Sequence, residues 1–364
     1  MHIALLGPAI SIHLQRWARA LAGRGNRISL MTQHPCDAHV LPADVEQIVL
    51  PHSRALGYVR NASALRRILQ ARQVDLLNTH YATGYGTLAR LCGWQPHLLS
   101  VWGSDVYDFP AKSPLHRWWL RGNLAASTAL ASTSQCMAQH TTEIFAGRRI
   151  FITPFGVDTG LFSPGQHTHG DRADGSIVTI GTVKTLEAKY GIDTLIEAFA
   201  LAQRKLAPQL DLRLEITGEG AQKAELQALA YMRGVGQAVV LHDAVAHAQV
   251  PGQLRRLDIF AALSRMESFG VAAVEAAACG LPVVGSDAPG LAEVTQHRIT
   301  GLVVPRNNPH AAAAAFEKLA LDAALRQKMG AAGRAHVLAC YDWAHCVALM
   351  EQAYAATIAK SSKR

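Results

Sequence analysis

The chain has 364 residues, of which 49 % are hydrophobic and 17 % charged, and it carries a formal net charge of +8. This length suits two domains of ordinary size, and this composition excludes general disorder. No run approaches the roughly 20 apolar residues that span a bilayer, and the start MHIALLGPAISIH lacks the basic and long apolar regions of a signal peptide. We therefore expect a cytoplasmic protein, within reach of the inner face of the membrane.

The positive charge is concentrated in the first part of the chain. Residues 1–158 hold 15 Lys and Arg against 8 Asp and Glu, a net charge of +7, whereas residues 159–364 hold 20 against 19. We expect the first domain to meet an anionic partner, either a phospholipid surface or a pyrophosphate-linked acceptor. No nucleic-acid module is recognised, so nucleic acid is not an expected partner. The six cysteines are scattered without a CxxC pair, which predicts buried thiols rather than disulfides or a zinc site.

Short apolar runs alternate with segments of helical periodicity along the first part of the chain. The predicted strands are HIALL, RISLMT, VEQIVL, DLLNTH, HLLSVW, ALAST and IFITP, and the predicted helices lie near 13–24, 60–72, 83–92, 113–125 and 134–146. Alternation of this kind predicts a parallel sheet with helices on both faces.

The alternation stops at residues 154–176, which are rich in Gly, Pro, His and Asp and form the best candidate for a linker. It then resumes with strands SIVTIGTV, LRLEITGEG, AVVLHD, DIFAALS, LPVVGSD and TGLVVP, and with helices near 191–206, 221–232, after Gly270, at 289–295 and from 309 onward. We expect two Rossmann-like doubly wound α/β domains facing across a cleft. The expected domains are 1–158 and 159–340, followed by a C-terminal helix and polar tail at 341–364 that can pack back on the first domain.

The segment at 258–294 carries the most chemical information. A predicted strand ends at residue 263, and Gly270 opens a helix whose N-terminal N–H groups suit a pyrophosphate. Glu275 lies about five residues into this helix, ~7–8 Å along its axis, which matches the distance from a β-phosphate back to a ribose. Glu267 precedes the helix and would lie on the other side of the phosphates, where the sugar is. The alternative is a capping acid and a solvated helix face.

Glu267 and Glu275, with seven residues between them in SRMESFGVAAVEAAACGLPVV, resemble the E-x7-E motif of the retaining glycosyltransferases of family 4. That family has the two-domain arrangement called GT-B. The resemblance continues, in the family's order, in the segments PFGVDTGLFSP (154–164), IGTVKTLEAKYGIDTLIEAFA (180–200), LRLEITGEG (212–220), PGLAEV (289–294) and TGLVVP (300–305).

By this resemblance, Glu267 contacts the donor sugar and Glu275 the ribose of a nucleotide-sugar. The residues implied in holding the donor are Gly7, Thr182, Lys184, Lys189, Gly218, Ser268, Phe269, Gly270, Val271, Glu275, Gly290 and Leu291. Thr182 departs from the family, which has an arginine on the diphosphate at this position. We expect Lys189 to supply the cation that stabilises the leaving diphosphate, with Lys184 as the alternative and a merely solvated loop lysine as another.

Residues 1–153 resemble the family more loosely. His80 ends a predicted strand at the family's position for a cleft histidine, and Asp105 follows in VWGSDVYD, where Trp102 replaces a histidine of many relatives. His80 and Asp105 are therefore the polar candidates for catalysis, and the alternative for His80 is a histidine satisfied in the core. Asp105 and Asp108 are spaced D-x-x-D and not D-x-D as in metal-dependent transferases, so we expect no metal and no cofactor.

The segment SPLHRWWLRGNL (113–124) places Trp118 and Trp119 next to each other on a predicted helix. The neighbouring basic residues are Lys112, His116, Arg117 and Arg121. Aromatic and basic residues on one helix indicate peripheral contact with an anionic membrane. The alternative is a pair of core tryptophans with exposed arginines.

These observations together predict a glycosyltransferase that moves a hexosyl group from a UDP- or GDP-sugar to an acceptor hydroxyl with retention of configuration. We expect a lipid-linked or saccharide acceptor and a role in bacterial polysaccharide, lipopolysaccharide or glycolipid synthesis. The alternatives are a sugar-nucleotide epimerase of the same architecture, which lacks the E-x7-E arrangement, and a degenerate sugar-nucleotide-binding module.

Overall fold

The computed structural model describes residues 1–165, 177–207 and 209–361. It divides into two compact units, the first formed by Met1–Phe155 with His345–Arg364 and the second by Gly156–Ala344. The boundaries expected from the sequence, after residues 158 and 340, lie a few residues away from these. Part of the expected linker, residues 166–176, lies outside the described residues.

The first unit contains a seven-stranded sheet in the order β3-β2-β1-β4-β5-β6-β7, in which every pair of neighbours is parallel. Strand β1 is buried along its whole length, as expected of an apolar run covered on both faces. The strands are β1 (His2–Leu6), β2 (Arg27–Thr32), β3 (Val45–Val49), β4 (Leu76–His80), β5 (His97–Val101), β6 (Ala129–Ser132) and β7 (Ile150–Ile152). The order reverses between β1 and β4, which makes the carboxyl ends of these two strands the expected place for a ligand.

Helices connect these strands, as the alternating sequence predicts. They are α1 (Ile12–Ala22), α2 (Arg54–Arg60), α3 (Ala62–Ala71), α4 (Gly84–Cys92), α5 (Asp108–Ala111), α6 (Pro114–Ala126) and α7 (Gln135–Ile144). Sequence periodicity missed α2 and α5, because seven and four residues are too few to show a helical period. Helix α6 starts where Ser113 and Pro114 predict a start, since the serine side chain accepts a hydrogen bond from the His116 N–H at 3.4 Å.

The second unit contains a six-stranded parallel sheet in the order β10-β9-β8-β11-β12-β13. The strands are β8 (Ile177–Val183), β9 (Asp211–Thr217), β10 (Val239–His242), β11 (Ile259–Ala262), β12 (Val283–Ser286) and β13 (Gly301–Val304). The helices assigned to it are α8 (Ile192–Leu206), α9 (Lys223–Met232), α10 (Val250–Leu254), α11 (Val271–Ala278), α12 (Pro289–Val294), α13 (Pro309–Leu321) and α14 (Ala323–Cys340). The order of this sheet reverses between β8 and β11, which places the second expected ligand position after these two strands.

The last helix, α15 (Trp343–Ser361), belongs almost entirely to the first unit. The hydroxyl group of its buried Tyr354 donates a hydrogen bond to Asn78 Oδ1 of β4 at 2.8 Å. On the surface, Glu351 pairs with Arg24 at 3.0 Å. The chain therefore returns to its first unit after completing the second.

Candidate active site

The second unit brings most of the predicted donor residues to the point where its strand order reverses. Thr182 lies at the end of β8, Lys184 follows that strand, and the loop 264–270 follows β11. These segments line one pocket, whose lining residues are Thr182, Lys184, Tyr190, Phe260, Ala262, Ser264, Glu267, Gly270, Ala272, Ala273 and Leu291. The E-x7-E loop and the segment that replaces the family's arginine are thus neighbours in space.

Two glycines allow the backbone of the loop 264–270 to lie close to the start of α12. Gly270 has φ +99°, and a Cβ there would lie 2.9 Å from Leu291 Cδ2. Gly290 lies directly against the backbone of Ser268 and Phe269, so it has no room for a Cβ, and its N–H donates to the Glu267 carbonyl at 3.0 Å. Only glycine fits these conditions without displacing the loop. The start of α12 is therefore fastened to the loop that carries Glu267.

Glu267 and Lys184 form an ion pair inside this pocket. The Lys184 Nζ lies 2.7 Å from Glu267 Oε2, and their side chains are only 20 % and 14 % exposed. The Ser264 hydroxyl also donates to Glu267 Oε2 at 3.4 Å. The Lys184 ammonium lies 4.2 Å from the centroid of the Tyr190 ring, within range of a cation–π contact. Lys184 therefore presents its charge to the pocket.

Lys189, which the sequence favours as the cation, is placed differently. Its side chain is 50 % exposed and pairs with Glu187 at 3.0 Å, and it does not line the pocket. It belongs to the short turn Ala188–Tyr190, and its Nζ lies 4.9 Å from the centroid of the Tyr190 ring. The prediction that Lys189 supplies the cation for the leaving diphosphate is therefore corrected. Of the two lysines, only Lys184 contacts the carboxylate of Glu267.

Arg265 holds this turn against the motif loop, a role that sequence inspection missed. Its guanidinium makes a bidentate contact with Asp193 at 2.9 and 2.6 Å, and its backbone N–H donates to the Lys189 carbonyl at 2.8 Å. Burial raises the pKa of Asp193, but the hydrogen bonds and the charge of Arg265 outweigh burial and lower it. Only the position of Arg265, two residues before Glu267, could have drawn attention to it.

Glu275 lies on the inner side of α11, and its side chain is only 8 % exposed. Its Oε1 atom is 2.8 Å from His247 Nε2, a contact that no sequence motif predicts. Gly218 follows β9, and its Cα faces the carbonyl of Lys184 so closely that a Cβ would collide with it. Gly218 therefore shapes the backbone beside the pocket but is not part of its lining.

In the first unit, Gly7 and His80 meet where β1 and β4 end. A Cβ at Gly7 would lie 3.2 Å from His80 Cβ, so the glycine makes room for the histidine. His80 is completely buried, its ring nitrogens have no hydrogen-bond partner in the described part of the chain, and burial lowers its pKa to about 3. The Trp102 ring stands edge-on to it at 5.2 Å. His80 is therefore neutral. The alternative, a core histidine whose ring nitrogens are hydrogen-bonded within the protein, is wrong.

Asp105 is placed as a structural residue. Its carboxylate accepts hydrogen bonds from the backbone N–H groups of Ala82 at 2.8 Å, Gly103 at 2.8 Å and Trp102 at 3.1 Å. Burial raises its pKa, and these hydrogen bonds act in the opposite direction. Because the side chain is buried and its oxygens are used by the backbone, the expectation that Asp105 acts directly in catalysis is revised to a role in holding the loop after β5.

The tryptophans of α6 lie on the surface of the first unit and not in its core. Trp118 is 61 % and Trp119 40 % exposed, and Leu115 on the same helix is exposed as well. The Trp119 indole N–H donates to Thr87 Oγ1 on α4 at 2.8 Å, which anchors one edge of the ring. The exposure of both rings contradicts the alternative of a pair of core tryptophans.

The described residues contain no group of three or more His, Cys, Asp and Glu side chains that could hold a metal ion. Among the helices of the described residues, none combines the length and the apolar character of a membrane-spanning segment. All six cysteines are free. The prediction that they are buried holds for Cys92, Cys279 and Cys346 and fails for the other three, since Cys36 and Cys136 are partly buried and Cys340 is exposed.

Two Rossmann-like units, the second with a paired glutamate motif at its strand-order reversal, define a GT-B glycosyltransferase. The family model "Glycosyl transferases group 1" matches residues 172–336, and the model "Glycosyl transferase 4-like" matches residues 2–134. The chain belongs to the group 1 glycosyl transferases, and it is accordingly a transferase.

Known proteins resemble this chain over almost its whole length, one relative in sequence and two solved structures in fold. The D-inositol 3-phosphate glycosyltransferase of Jonesia denitrificans is 29 % identical over 389 residues, which cover 96 % of this chain and 91 % of the relative. Among solved structures, sucrose-phosphate synthase from Thermosynechococcus elongatus superimposes with a TM-score of 0.80 at 22 % identity, covering 99 % of this chain and 100 % of that one. Anabaena HepE in complex with UDP and glucose has a TM-score of 0.78 at 16 % identity, with 98 % and 100 % covered.

Proposed function

We propose that the chain transfers a hexosyl group from a UDP- or GDP-sugar to an acceptor hydroxyl with retention of configuration. The observation that carries this proposal is the arrangement around the start of α11. Glu267 lies before the helix with its carboxylate in the pocket, and Glu275 lies within the helix, buried on its inner side. Between them, the backbone from Ser268 to Val271 offers the N–H groups and the positive helix end that favour a diphosphate.

The charges in the pocket suit departure of a nucleoside diphosphate. As the bond between the anomeric carbon and the β-phosphate oxygen breaks, negative charge accumulates on the leaving diphosphate. Lys184, held at 2.7 Å from Glu267, is the cation placed to stabilise that charge. Glu267 then accepts hydrogen bonds from the sugar hydroxyls. Lys184 replaces the missing family arginine, and neither a metal nor another cofactor is required.

Retention follows in this proposal from attack on the face from which the diphosphate leaves. The acceptor hydroxyl approaches beside the departing diphosphate and forms the new bond to the anomeric carbon. Its proton passes to an oxygen of the leaving phosphate. No protein nucleophile takes part, which fits a second unit whose pocket carboxylate, Glu267, is already engaged by Lys184 and Ser264.

The charge and surface of the first unit favour an anionic acceptor near a membrane. Residues 1–158 carry +7 of the total charge of +8, and Leu115 and both tryptophans of α6 are exposed. A relative is named for inositol 3-phosphate, an acceptor that is itself anionic. We place the reaction in bacterial polysaccharide, lipopolysaccharide or glycolipid synthesis, with a lipid-linked or saccharide acceptor and peripheral contact of α6 with anionic lipid.

A screen of thermal stability with UDP, GDP, ADP and their hexose conjugates tests the donor assignment first, because a ligand bound only by the folded state raises the melting temperature. The bound donor is then incubated with the protein alone. Slow release of nucleoside diphosphate and free hexose supports a transferase whose acceptor is replaced by water. An epimerised donor with an intact diphosphate supports the epimerase alternative, and tight binding with no turnover supports the binding module.

A further inference from the structure

We propose that His247 is a positioning residue that sets the orientation of the Glu275 carboxylate and thereby the affinity for the ribose of the donor. This inference rests on the proposed function, which assigns Glu275 to the ribose. The distance between His247 Nε2 and Glu275 Oε1 is 2.8 Å. In the part of the chain that the structure describes, His247 provides the only hydrogen bond recorded for this carboxylate.

The environment of Glu275 explains why a partner is needed. Its side chain is 8 % exposed, and a buried carboxylate is costly unless hydrogen bonds compensate for the water that it has lost. A single bond through Oε1 fixes the rotamer and leaves Oε2 for the ribose hydroxyls. A carboxylate that is already oriented loses less conformational freedom when the nucleotide binds, which raises affinity without a new contact to the ligand.

His247 is itself held by a preformed turn. It begins the short helical turn His247–Gln249, in which the Gln249 side chain accepts a hydrogen bond from the Ala246 N–H at 3.3 Å. The buried residues Val250 and Pro251 follow immediately in α10. The imidazole also lies 5.3 Å from the ring of the buried Phe162. The histidine thus approaches Glu275 from a fixed backbone and not from a freely moving loop.

A matched pair of variants separates the hydrogen bond from the shape of the side chain. His247→Gln retains an N–H donor close to the position of Nε2, and His247→Phe retains a planar ring without a donor. Isothermal calorimetry is performed with UDP or GDP, whichever wild type binds more tightly, and with the 2′,3′-dideoxy form of the same nucleotide. We expect His247→Phe to weaken binding of the ribonucleotide about tenfold, which corresponds to about 1.4 kcal/mol, and His247→Gln to stay within about threefold of wild type.

The dideoxy nucleotide distinguishes positioning from general damage. It lacks the hydroxyls that Glu275 is assigned to bind, so wild type and His247→Phe should bind it equally well. The positioning role is wrong if His247→Phe weakens the binding of both nucleotides equally or of neither. In that case the proposed function still stands, provided that the wild-type protein binds the ribonucleotide. Wild type that binds none of the nucleotides overturns the proposed function itself. Glu275→Ala combined with His247→Phe should be no worse than Glu275→Ala alone, because the two residues act through one carboxylate.

Discussion

Replacing Lys184 should slow transfer far more than replacing Lys189. The Lys184 ammonium lies 2.7 Å from Glu267 Oε2 in a pocket where its side chain is 20 % exposed. Two unit charges about 4 Å apart at an effective dielectric constant of about 20 interact by about 4 kcal/mol, which is an upper bound for what Lys184 contributes to the leaving diphosphate. Removal of one preorganised electrostatic group typically costs ~10²–10³ in turnover. We expect a loss of about 100-fold for Lys184→Ala.

Lys189→Ala is the matched control, because both lysines contact the ring of Tyr190. Lys189 is 50 % exposed and pairs with Glu187 at the surface, where such pairs contribute about 0–1 kcal/mol. Its replacement should change turnover by less than about fivefold. Lys184→Arg, which keeps the charge, should recover part of the lost rate.

The assay is release of nucleoside diphosphate at saturating donor, with melting temperatures recorded for all three variants. A larger loss for Lys189→Ala than for Lys184→Ala would refute the placement of the cation. Equal and small losses would refute the assignment of leaving-group stabilisation to either lysine. A variant with an unchanged melting temperature and a lower rate separates a loss of charge from a loss of fold.

Three further results are expected. Glu275→Ala should weaken binding of the free nucleoside diphosphate, measured by calorimetry, by ~1.5–3 kcal/mol, the range for hydrogen bonds to a charged group. An unchanged affinity would show that Glu275 does not bind the ribose. Glu267→Gln should lower kcat while leaving that affinity nearly intact, and equal losses in both would place it at the nucleotide. Wild type should co-sediment with anionic vesicles at low salt and much less at physiological salt, since each basic residue near such a surface contributes about 1 kcal/mol within a Debye length. Arg117→Glu combined with Arg121→Glu should abolish pelleting without changing nucleotide affinity, and failure of wild type to pellet at low salt would contradict the membrane contact.

The sequence predicts the fold well because apolar runs and segments of helical periodicity alternate clearly along this chain. Apolar runs such as HIALL and IVTIGTV become strands buried on both faces, and the amphipathic segments between them become helices. The donor segment also follows from the sequence, since Gly270 and Gly290 stand where the backbone comes too close for a Cβ. Local pattern and tertiary packing agree at these positions, so local reasoning is sufficient there.

The sequence does not reveal which side chains meet across the fold. Lys184 and Lys189 are both basic residues near an inserted tyrosine, and only the turn at Ala188–Tyr190 decides that one faces the pocket and the other the solvent. His247 reaches Glu275 from a segment 28 residues away, a contact for which the sequence offers no period or motif. The sequence suggests that Asp105 is a catalytic acid. In the structure, however, its carboxylate oxygens accept hydrogen bonds from three backbone N–H groups.

In the proposed reaction, this chain breaks the bond between a hexose and a nucleoside diphosphate and retains the configuration at the anomeric carbon. Proton NMR during slow hydrolysis of the donor by wild type tests it most directly, because the anomer released first can be observed before mutarotation. With a UDP- or GDP-linked α-hexose, we expect the α-anomer to appear first and its release to fall with Glu267→Gln. First appearance of the β-anomer would contradict retention, and a donor that remains intact or becomes epimerised would contradict the transferase mechanism.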